Sequence, residues 1–567
     1  MALPRVTQIL ADGSLGIVPP SPANVVAKVG VCSSGTANTV RQFSGPSVKV
    51  IKDALGTGPL AEAAAHSLEI AGGPVSTVPV SASVPGTAGP VTHLGTGSAV
   101  LTVSGAPKDS YEVEVRVTRK ATGLAVAAAA FVFSLDGGDT FSPEIAVPVS
   151  GIYAIPGSGL TITFSDGTFV KDDGYSFECL APSYSVTDLV AAIDALLADQ
   201  RKFGCLHVVG APAPSATKVT AQGASPAVKL SGAPAAWIDG VVVVSTAGVL
   251  GTGKFKLSLD GGATFAAEQF LAAAVAIPKV GLTLNFAAGT YNQGDSYTFN
   301  TYASIPALFA AVDAKMTAAE NTYKYAFAVL EAPDAPDAIL LKATANLAST
   351  RVMFATGYAE LSSSLSIVGG NTYKRSDAWP ITARIAEAPI HEDLGRYRSG
   401  WLPGVVSLYR DEDVTPGLAS ARFETLRTIP DAPGYYIASD TGGNMMAPLG
   451  SDYAFVQNRR VMDEACRVNR VAMLRYLNDD LLVDAKTGFI LETEARRIEA
   501  DVNAQLEAAL VFGGSRHASA VQCRVKRDEN ILSTHNLTTS VSVTPKSYAK
   551  TITTTIGFRN PAIAKAA

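Results

Sequence analysis

One part of this chain is written twice. Ser104-Gly-Ala-Pro107 recurs as Ser231-Gly-Ala-Pro234, 127 residues later, and Ser134-Leu-Asp-Gly-Gly-Asp-Thr-Phe141 recurs as Ser258-Leu-Asp-Gly-Gly-Ala-Thr-Phe265, 124 later. Gly159-Leu-Thr-Ile-Thr-Phe164 returns as Gly281-Leu-Thr-Leu-Asn-Phe286 and Tyr175-Ser-Phe177 as Tyr297-Thr-Phe299, both 122 later. The order is kept while the spacing shrinks slowly, as expected of a duplicated unit with small loop deletions. Any fold for the 567 residues must hold two copies of one unit. The length leaves room for further domains at ~100–200 residues each.

The repeated unit reads as β. Glu112-Val-Glu-Val-Arg-Val117 alternates with period two, and Phe131-Val-Phe-Ser-Leu135 runs into Asp136-Gly137, which predicts a two-residue type I′ hairpin turn. Short strands divided by glycine turns predict a small β-sandwich. Asp136 and Asp260 offer one carboxylate per turn, too few oxygens for calcium, so they are read as turn formers.

The flanks of the two copies differ from the copies themselves. Leu60 to Ile70 is helical in pattern, Gly72-Gly73 stops it, and a strand Val75–Val80 follows. After the first copy come a helix from Val186 to Asp199 and a strand, Cys205-Leu-His-Val-Val209. After the second come a helix from Ile305 to Met316 and a strand from Tyr325 to Leu330. With the copies set aside, strands and helices alternate, the pattern of an α/β layer. The copies then sit in loops, where insertions are tolerated.

Residues 371–567 hold 47 charged residues in 197, against 48 in the other 370, and this predicts a separate α+β domain. Its first helix spans about 454–482 with Ser451 or Asp452 as cap. Arg459, Arg460, Arg467, Arg470 and Arg475 lie within an arc of ~160° on it, with Asp463 and Glu464 in the same arc. Intrahelical pairing and partner contact both remain open for that face. A second helix, about 491–510, carries Leu491, Ala495, Ile498, Val502, Leu506 and Ala509 as its apolar stripe. Two extended stretches follow, Ala520–Val525 and Thr551-Ile-Thr-Thr-Thr-Ile-Gly-Phe558, the latter suited to an edge or shared strand.

Net charge is −5, without the basic surplus of a nucleic-acid binder. Charged residues are 17% and apolar ones 47%, enough to build a core. The five cysteines are dispersed without a CxxC pair, which predicts neither a disulfide framework nor a zinc ribbon. No secretory leader is read at the N-terminus, and no apolar run reaches the ~18 residues of a membrane span, so a soluble protein is expected. There is no GxSxG, GxxxxGK[ST] or HExxH motif. His207, in an apolar strand, is read as a core residue, Asp411-Glu-Asp413 as a solvated loop and Lys526-Arg527-Asp528-Glu529 as a self-neutralising turn. Catalytic, metal and cofactor sites are all expected to be absent.

Several stretches, in order, resemble the sheath proteins of contractile phage tails and related injection machines. They are Val25-Val-Ala-Lys-Val-Gly-Val31, Ala54-Leu-Gly-Thr-Gly-Pro-Leu60 and Ala71-Gly-Gly-Pro-Val75. Arg422-Phe-Glu-Thr-Leu-Arg427, Gly434-Tyr-Tyr-Ile437, Gly450-Ser-Asp-Tyr453 and the ending Val541–Phe558 continue the series. The resemblance implies an α/β and α+β multidomain chain: a sheath-like core (25–81, 183–212, 303–370) with two inserted, duplicated β-sandwich-like modules (82–182, 213–302). An N-terminal extended arm (1–24), a C-terminal inner domain (371–549) and an exchanged strand (550–567) complete it. It implies a non-enzymatic subunit of a virion's contractile tail, assembled in the bacterial host cytoplasm. Such subunits polymerise helically around a tail tube and contract to drive it through the target envelope.

The implied partners are further copies of the chain, the tube protein and the baseplate and tail-terminator proteins, with no direct nucleic-acid or membrane contact. Strand exchange is expected at Val6, Ile9, Leu10, Leu15, Ile17 and Val18 in the arm and at Thr551, Ile552, Thr553, Thr554, Thr555, Ile556 and Phe558 at the end. Residues 516–565 carry eight basic against two acidic residues, and the tube-facing set is expected to be Arg496, Arg497, Arg524, Lys526 and Arg527. A β-module adhesin or decoration protein on a virion or cell surface is the alternative.

Overall fold

The computed structural model describes residues 21–45, 47–124, 129–362, 372–512 and 516–558. The six arm residues from Val6 to Val18 lie outside this set. At its centre is a six-stranded sheet in the order Arg41–Phe43, Val75–Pro79, Val26–Gly30, Cys205–Val208, Phe327–Glu331, Val352–Ala355. Only the short Arg41–Phe43 edge strand runs antiparallel. The five parallel strands are buried on both faces, which is why they read as unbroken apolar runs rather than alternating ones.

Helices cover both faces. On one lie α1 (Val48–Leu55), α2 (Pro59–Ala71) and, from far along the chain, α6 (Ala378–Glu387); Leu60, Ala64, Leu68, Ile381 and Ile385 share a core with Val26, Val75 and Phe327. On the other lie α3 (Val186–Ala198), α4 (Ser304–Asn321) and α5 (Asp337–Thr344). They pack Leu189, Ile193, Phe309, Val312 and Leu340 on Val29, Leu206 and Phe354. Ser185 caps α3, its hydroxyl accepting from Asp188 N at 3.2 Å. Packing does not follow the rise in charge density at 371, because α6 belongs to the sheet's own core.

In α/β sheets of this kind ligands usually enter where strand order reverses, here between Val26–Gly30 and Cys205–Val208. That point is closed: a Cβ on Gly30 would meet Val209 Cβ at 2.8 Å.

Between Thr87 and Leu180, and again between Thr220 and Asn300, the chain forms β units with cores of their own. In the second, one sheet runs 220–222, 296–300, 239–246, 254–258, 269–270 and faces another of 228–232, 282–286, 274–276. The first has the matching orders, with 145–146, 130–134, 111–119 and 174–180 facing 152–154, 160–164 and 101–105. Each core is aromatic: Phe131, Phe164 and Tyr175 in one, Phe255, Phe286 and Tyr297 in the other.

The expected type I′ turn at Asp136 is not formed. Gly137 and Gly138 take the positive φ, Asp136 does not, and the 130–134 strand pairs with Ile145–Ala146 across a longer loop. Asp136 instead folds the loop through its side chain, accepting from Thr140 N at 3.0 Å and Ser134 Oγ at 2.5 Å; Asp260 accepts from Thr264 N and Ser258 Oγ at 2.9 and 2.6 Å. This is the Asx-type alternative, in which a carboxylate replaces a backbone acceptor.

The C-terminal part is built on α7 (Val456–Met473) and α8 (Glu492–Leu510). The first of these ends earlier than its pattern predicts, passing into a 3₁₀ turn at Leu474–Tyr476. Neither Ser451 nor Asp452 caps it: Asn444 Oδ1 accepts from Val456 N at 2.9 Å, a cap supplied from another loop. Among the described residues no helix is long and apolar enough to cross a membrane.

The ends of the second β unit meet: Ser215 and Tyr302 are bridged, and Ser304 Oγ donates to Ala213 O at 2.7 Å. Replacing 213–302 by a short Gly-Ser linker should therefore leave a folded chain. Circular dichroism should show cooperative urea unfolding, with a loss of about 1–3 kcal/mol from the uncovering of surface under the partly buried Trp237.

Candidate functional site

Three polar clusters and one bare segment are the features that packing alone does not explain. The first cluster lies inside the sheet. Lys28, His207 and Glu331 come from three adjacent strands and are 0%, 0% and 5% exposed. Lys28 Nζ lies 2.8 Å from His207 Nδ1 and donates to Thr382 Oγ1 at 3.0 Å; His207 Nε2 is 3.0 Å from Glu331 Oε1, which accepts from Trp379 Nε1 at 2.9 Å. Burial disfavours every charged form here. It lowers Lys28 to about 7, lifts Glu331 to about 7 and holds His207 well below its usual value. A neutral imidazole with its proton on Nε2 accepts from the lysine and donates to the carboxylate. The cluster ties α6 to the sheet, and none of its three titratable groups lines the cavity of about 180 Å³ beside Tyr111, Glu112, Glu178 and Glu360.

The second cluster joins the first β unit to the core. Arg375 Nη2 donates to Glu62 Oε2 at 2.6 Å and lies 3.3 Å from Asp109 Oδ2, all three being buried. Burial lifts both carboxyls, and the guanidinium opposes it.

The third is the arginine face of α7. Arg459 pairs with Asp463 at 2.5 Å, and Asp463 with Arg351 at 3.3 Å. Arg460 Nη2 donates to Ile385 O and Ala388 O at 2.8 and 3.0 Å, where α6 ends. Arg467 bonds Glu464 and Tyr325 O, and the Arg470 guanidinium sits 3.1 Å from the Tyr323 ring centroid. The face is therefore turned to the chain's own core. Only Arg475, whose side chain is 62% exposed, reaches outward, to Asp501 of α8.

Beyond α8, Ala518–Val525 and Thr539–Pro545 form an antiparallel hairpin. Val521, Cys523 and Val525 pack on Ile498, Val502 and Leu506, while Ala520, Gln522 and Arg524 face solvent. This sheet has two strands; α8 covers the outer edge of the first, Asn503 Oδ1 and Glu499 Oε1 accepting from Cys523 N and Val525 N at 2.6 and 2.7 Å, while the outer edge of Thr539–Pro545 pairs with no strand among the described residues. Tyr548 Oη then donates to His391 O, and Lys550 Nζ lies 2.5 Å from Asp393 Oδ2. From Thr551 to Phe558 the chain has no regular structure and is exposed throughout, Ile552 by 80% and Ile556 by 91%.

Against known families, residues 3–234 and 270–441 match the N-terminal domain of DUF2586, and 452–563 its C-terminal domain. The chain belongs to the DUF2586 family. No curated protein matches it. Among solved structures it is similar to the sheath tail protein of Desulfitobacterium hafniense, with 11% identity and TM-score 0.39 over 96% of this chain and 100% of that one. The sheath tail protein of Listeria innocua is similar at 10% identity and TM-score 0.38, over 93% and 96%.

Within this DUF2586 chain the five basic residues singled out from sequence do different things. Arg496 and Arg527 converge on Glu492, at 2.7 and 3.0 Å, and Arg527 also clamps Glu499, tying the hairpin to α8. Arg497 turns to Glu494 at 2.5 Å and lies over the Tyr476 ring. Arg524 and Lys526 are exposed and form no ion pair among the described residues. Thr551, Ile552, Thr553, Thr554, Thr555, Ile556 and Phe558 are exposed and make no strand pairing among the described residues. Sequence reasoning passed over Lys28, Glu331 and the Asp393–Lys550 contact. A lone lysine inside Val25-Val-Ala-Lys-Val-Gly-Val31 was the signal available for the first.

Lys28 gives the DUF2586 core a pH signature. Its folded value lies below its unfolded one, so the unfolded chain binds the extra proton between about pH 7 and 10.5 and stability rises with pH there. Urea titrations at pH 7.5 and 9.5 should show the wild type gaining about 1–3 kcal/mol on Lys28→Met over that interval.

Proposed function

We propose that this chain is a structural subunit of a contractile tail sheath, polymerising helically around a tail tube through strands donated between copies. The carrying observation is the exposed segment Thr551–Phe558, which follows a two-stranded hairpin whose Thr539–Pro545 edge pairs with no strand among the described residues. A chain that leaves Ile552, Ile556 and Phe558 in water while holding an unpaired strand edge is built to complete its sheet on another molecule. Added strands of this kind bind through main-chain hydrogen bonds, each contributing ~0.5–1.5 kcal/mol net. Head-to-tail donation whose rotation does not close into a ring extends into a helix. The ordered motifs resembling sheath proteins supply the rest of the reading. On it the N-terminal arm is the second donated element, the two β units are duplicated insertions on the outside, and baseplate and terminator proteins bound the array.

Deleting 551–567 should leave a folded protein, because those described residues contribute nothing to any core, and should abolish assembly. Negative-stain images should show tubes or rings for the full chain and single particles for the truncation. Particles from both would favour the adhesin or decoration reading.

For the tube contact, exposed and uncommitted charge is what matters, since exposed pairs are worth only ~0–1 kcal/mol and orient partners without locking them. Arg524 and Lys526 meet that condition, whereas Arg527 holds α8. The double variant Arg524→Glu, Lys526→Glu should polymerise alone as well as wild type yet co-sediment with tubes several-fold less. Undiminished co-sedimentation would move the tube contact elsewhere.

A further inference from the structure

The contact between Lys550 and Asp393 is placed for more than an ion pair. Lys550 is the last residue of the chain held by the core before the bare terminal segment. Its Nζ lies 2.5 Å from Asp393 Oδ2 and 2.5 Å from Ser439 Oγ, and 5.3 Å from the centroid of the Phe455 ring. Both side chains are largely out of solvent, at 17% and 10% exposure. The carboxyl is held from several sides: Gly395 N donates to Oδ1 at 3.0 Å, and Gln457 Nε2 and Ser439 Oγ donate to Oδ2 at 3.0 and 3.2 Å. Glu424, fully buried, is near enough for the Asp393 and Lys550 charges to act on it, and the Asn444 side chain is its polar neighbour. Burial lifts it to about 8, with the Asp393 charge adding to the effect and Asn444 and then Lys550 opposing it, which favours the protonated form.

An amine held against a carboxyl, largely out of solvent and within the field of a buried carboxylic acid, is the arrangement that amide condensation requires. We propose that Lys550 Nζ and Asp393 Cγ form an intramolecular amide bond. Transfer of one proton across the short hydrogen bond turns ammonium and carboxylate into amine and acid. The nitrogen attacks Cγ, donors on both oxygens stabilising the charge that develops there. The nitrogen loses a proton, the departing Oδ2 hydroxyl gains one, and Glu424 is the group placed to carry it. One N–C bond forms, one C–O bond breaks and one water leaves, with no oxidant or co-reactant. Gly395 serves the oxygen that stays; Ser439 and Gln457 serve the one that goes. Held in place, the reaction is unimolecular, which supplies much of the barrier reduction. The product would anchor the root of the terminal segment covalently to a loop 157 residues earlier in the chain.

Mass spectrometry of the purified full chain tests this. The expected intact mass is about 18 Da below that of the sequence, the mass of the water lost. A tryptic digest should yield residues 385–396 joined to 547–559, with no cleavage after Lys550. Lys550→Arg and Asp393→Ala should each restore the full mass and remove the joined peptide. Glu424→Gln should slow the appearance of that peptide after refolding at least tenfold, and Glu424→Asp should recover part of the rate. A wild-type chain at full sequence mass, cut after Lys550, would overturn the bond. Equal rates in wild type and Glu424→Gln would remove Glu424 from it.

Discussion

A parallel sheet must be covered on both faces, and everything in this molecule is arranged around that requirement. The strands at 26–30, 75–79, 205–208, 327–331 and 352–355 are buried throughout and cannot survive with a face in water. Connecting helices α3, α4 and α5 cover one side. The other is finished by α6 and by Leu426, Ile437, Met445 and Val456, all from the last third of the chain. The charged C-terminal region is therefore no appendage, because removing it would strip the sheet.

The buried polar clusters follow from the same geometry. Apolar packing says which faces meet but is tolerant of register, whereas a buried charge with one good partner is not, since leaving it alone is strongly destabilising. Lys28, His207 and Glu331 pin three strands and α6; Arg375 pins α2, the first β unit and the 372–376 strand. The arginines of α7 do the same for the joint between the C-terminal helices and the core.

Where the pins stop, the chain is open. The terminal hairpin has one free edge, at Thr539–Pro545, and past Lys550 nothing among the described residues covers Ile552, Ile556 or Phe558. The transition is abrupt, from a lysine buried against Asp393 to a segment wholly in solvent, so force on the segment would be delivered at that one contact.

Much of the architecture was legible in residue order. The double copy of the β unit, the alternation of strands and helices around it, and the stripe on α8 are local patterns. Periodicities of 2 and 3.6 depend on neighbours a few residues away. The ending reads as an extended edge or shared strand from its Thr-rich alternation, whereas Thr551–Phe558 forms no strand within the described residues. What the sequence could not determine depends on residues brought together from afar. Asp136 looked like one end of a tight hairpin, but Ser134 and Thr140 captured its side chain. The α7 helix found its cap in Asn444, and the arginine face could not be assigned until Tyr323, Tyr325 and α6 were seen beneath it. Lys550, Asp393, Ser439 and Glu424 share no motif, and 157 residues separate the first two. Spacing along a chain predicts only which groups share a face. Which groups share a point is decided by the packing of the whole, because a side chain's partners are set by how the layers close around it.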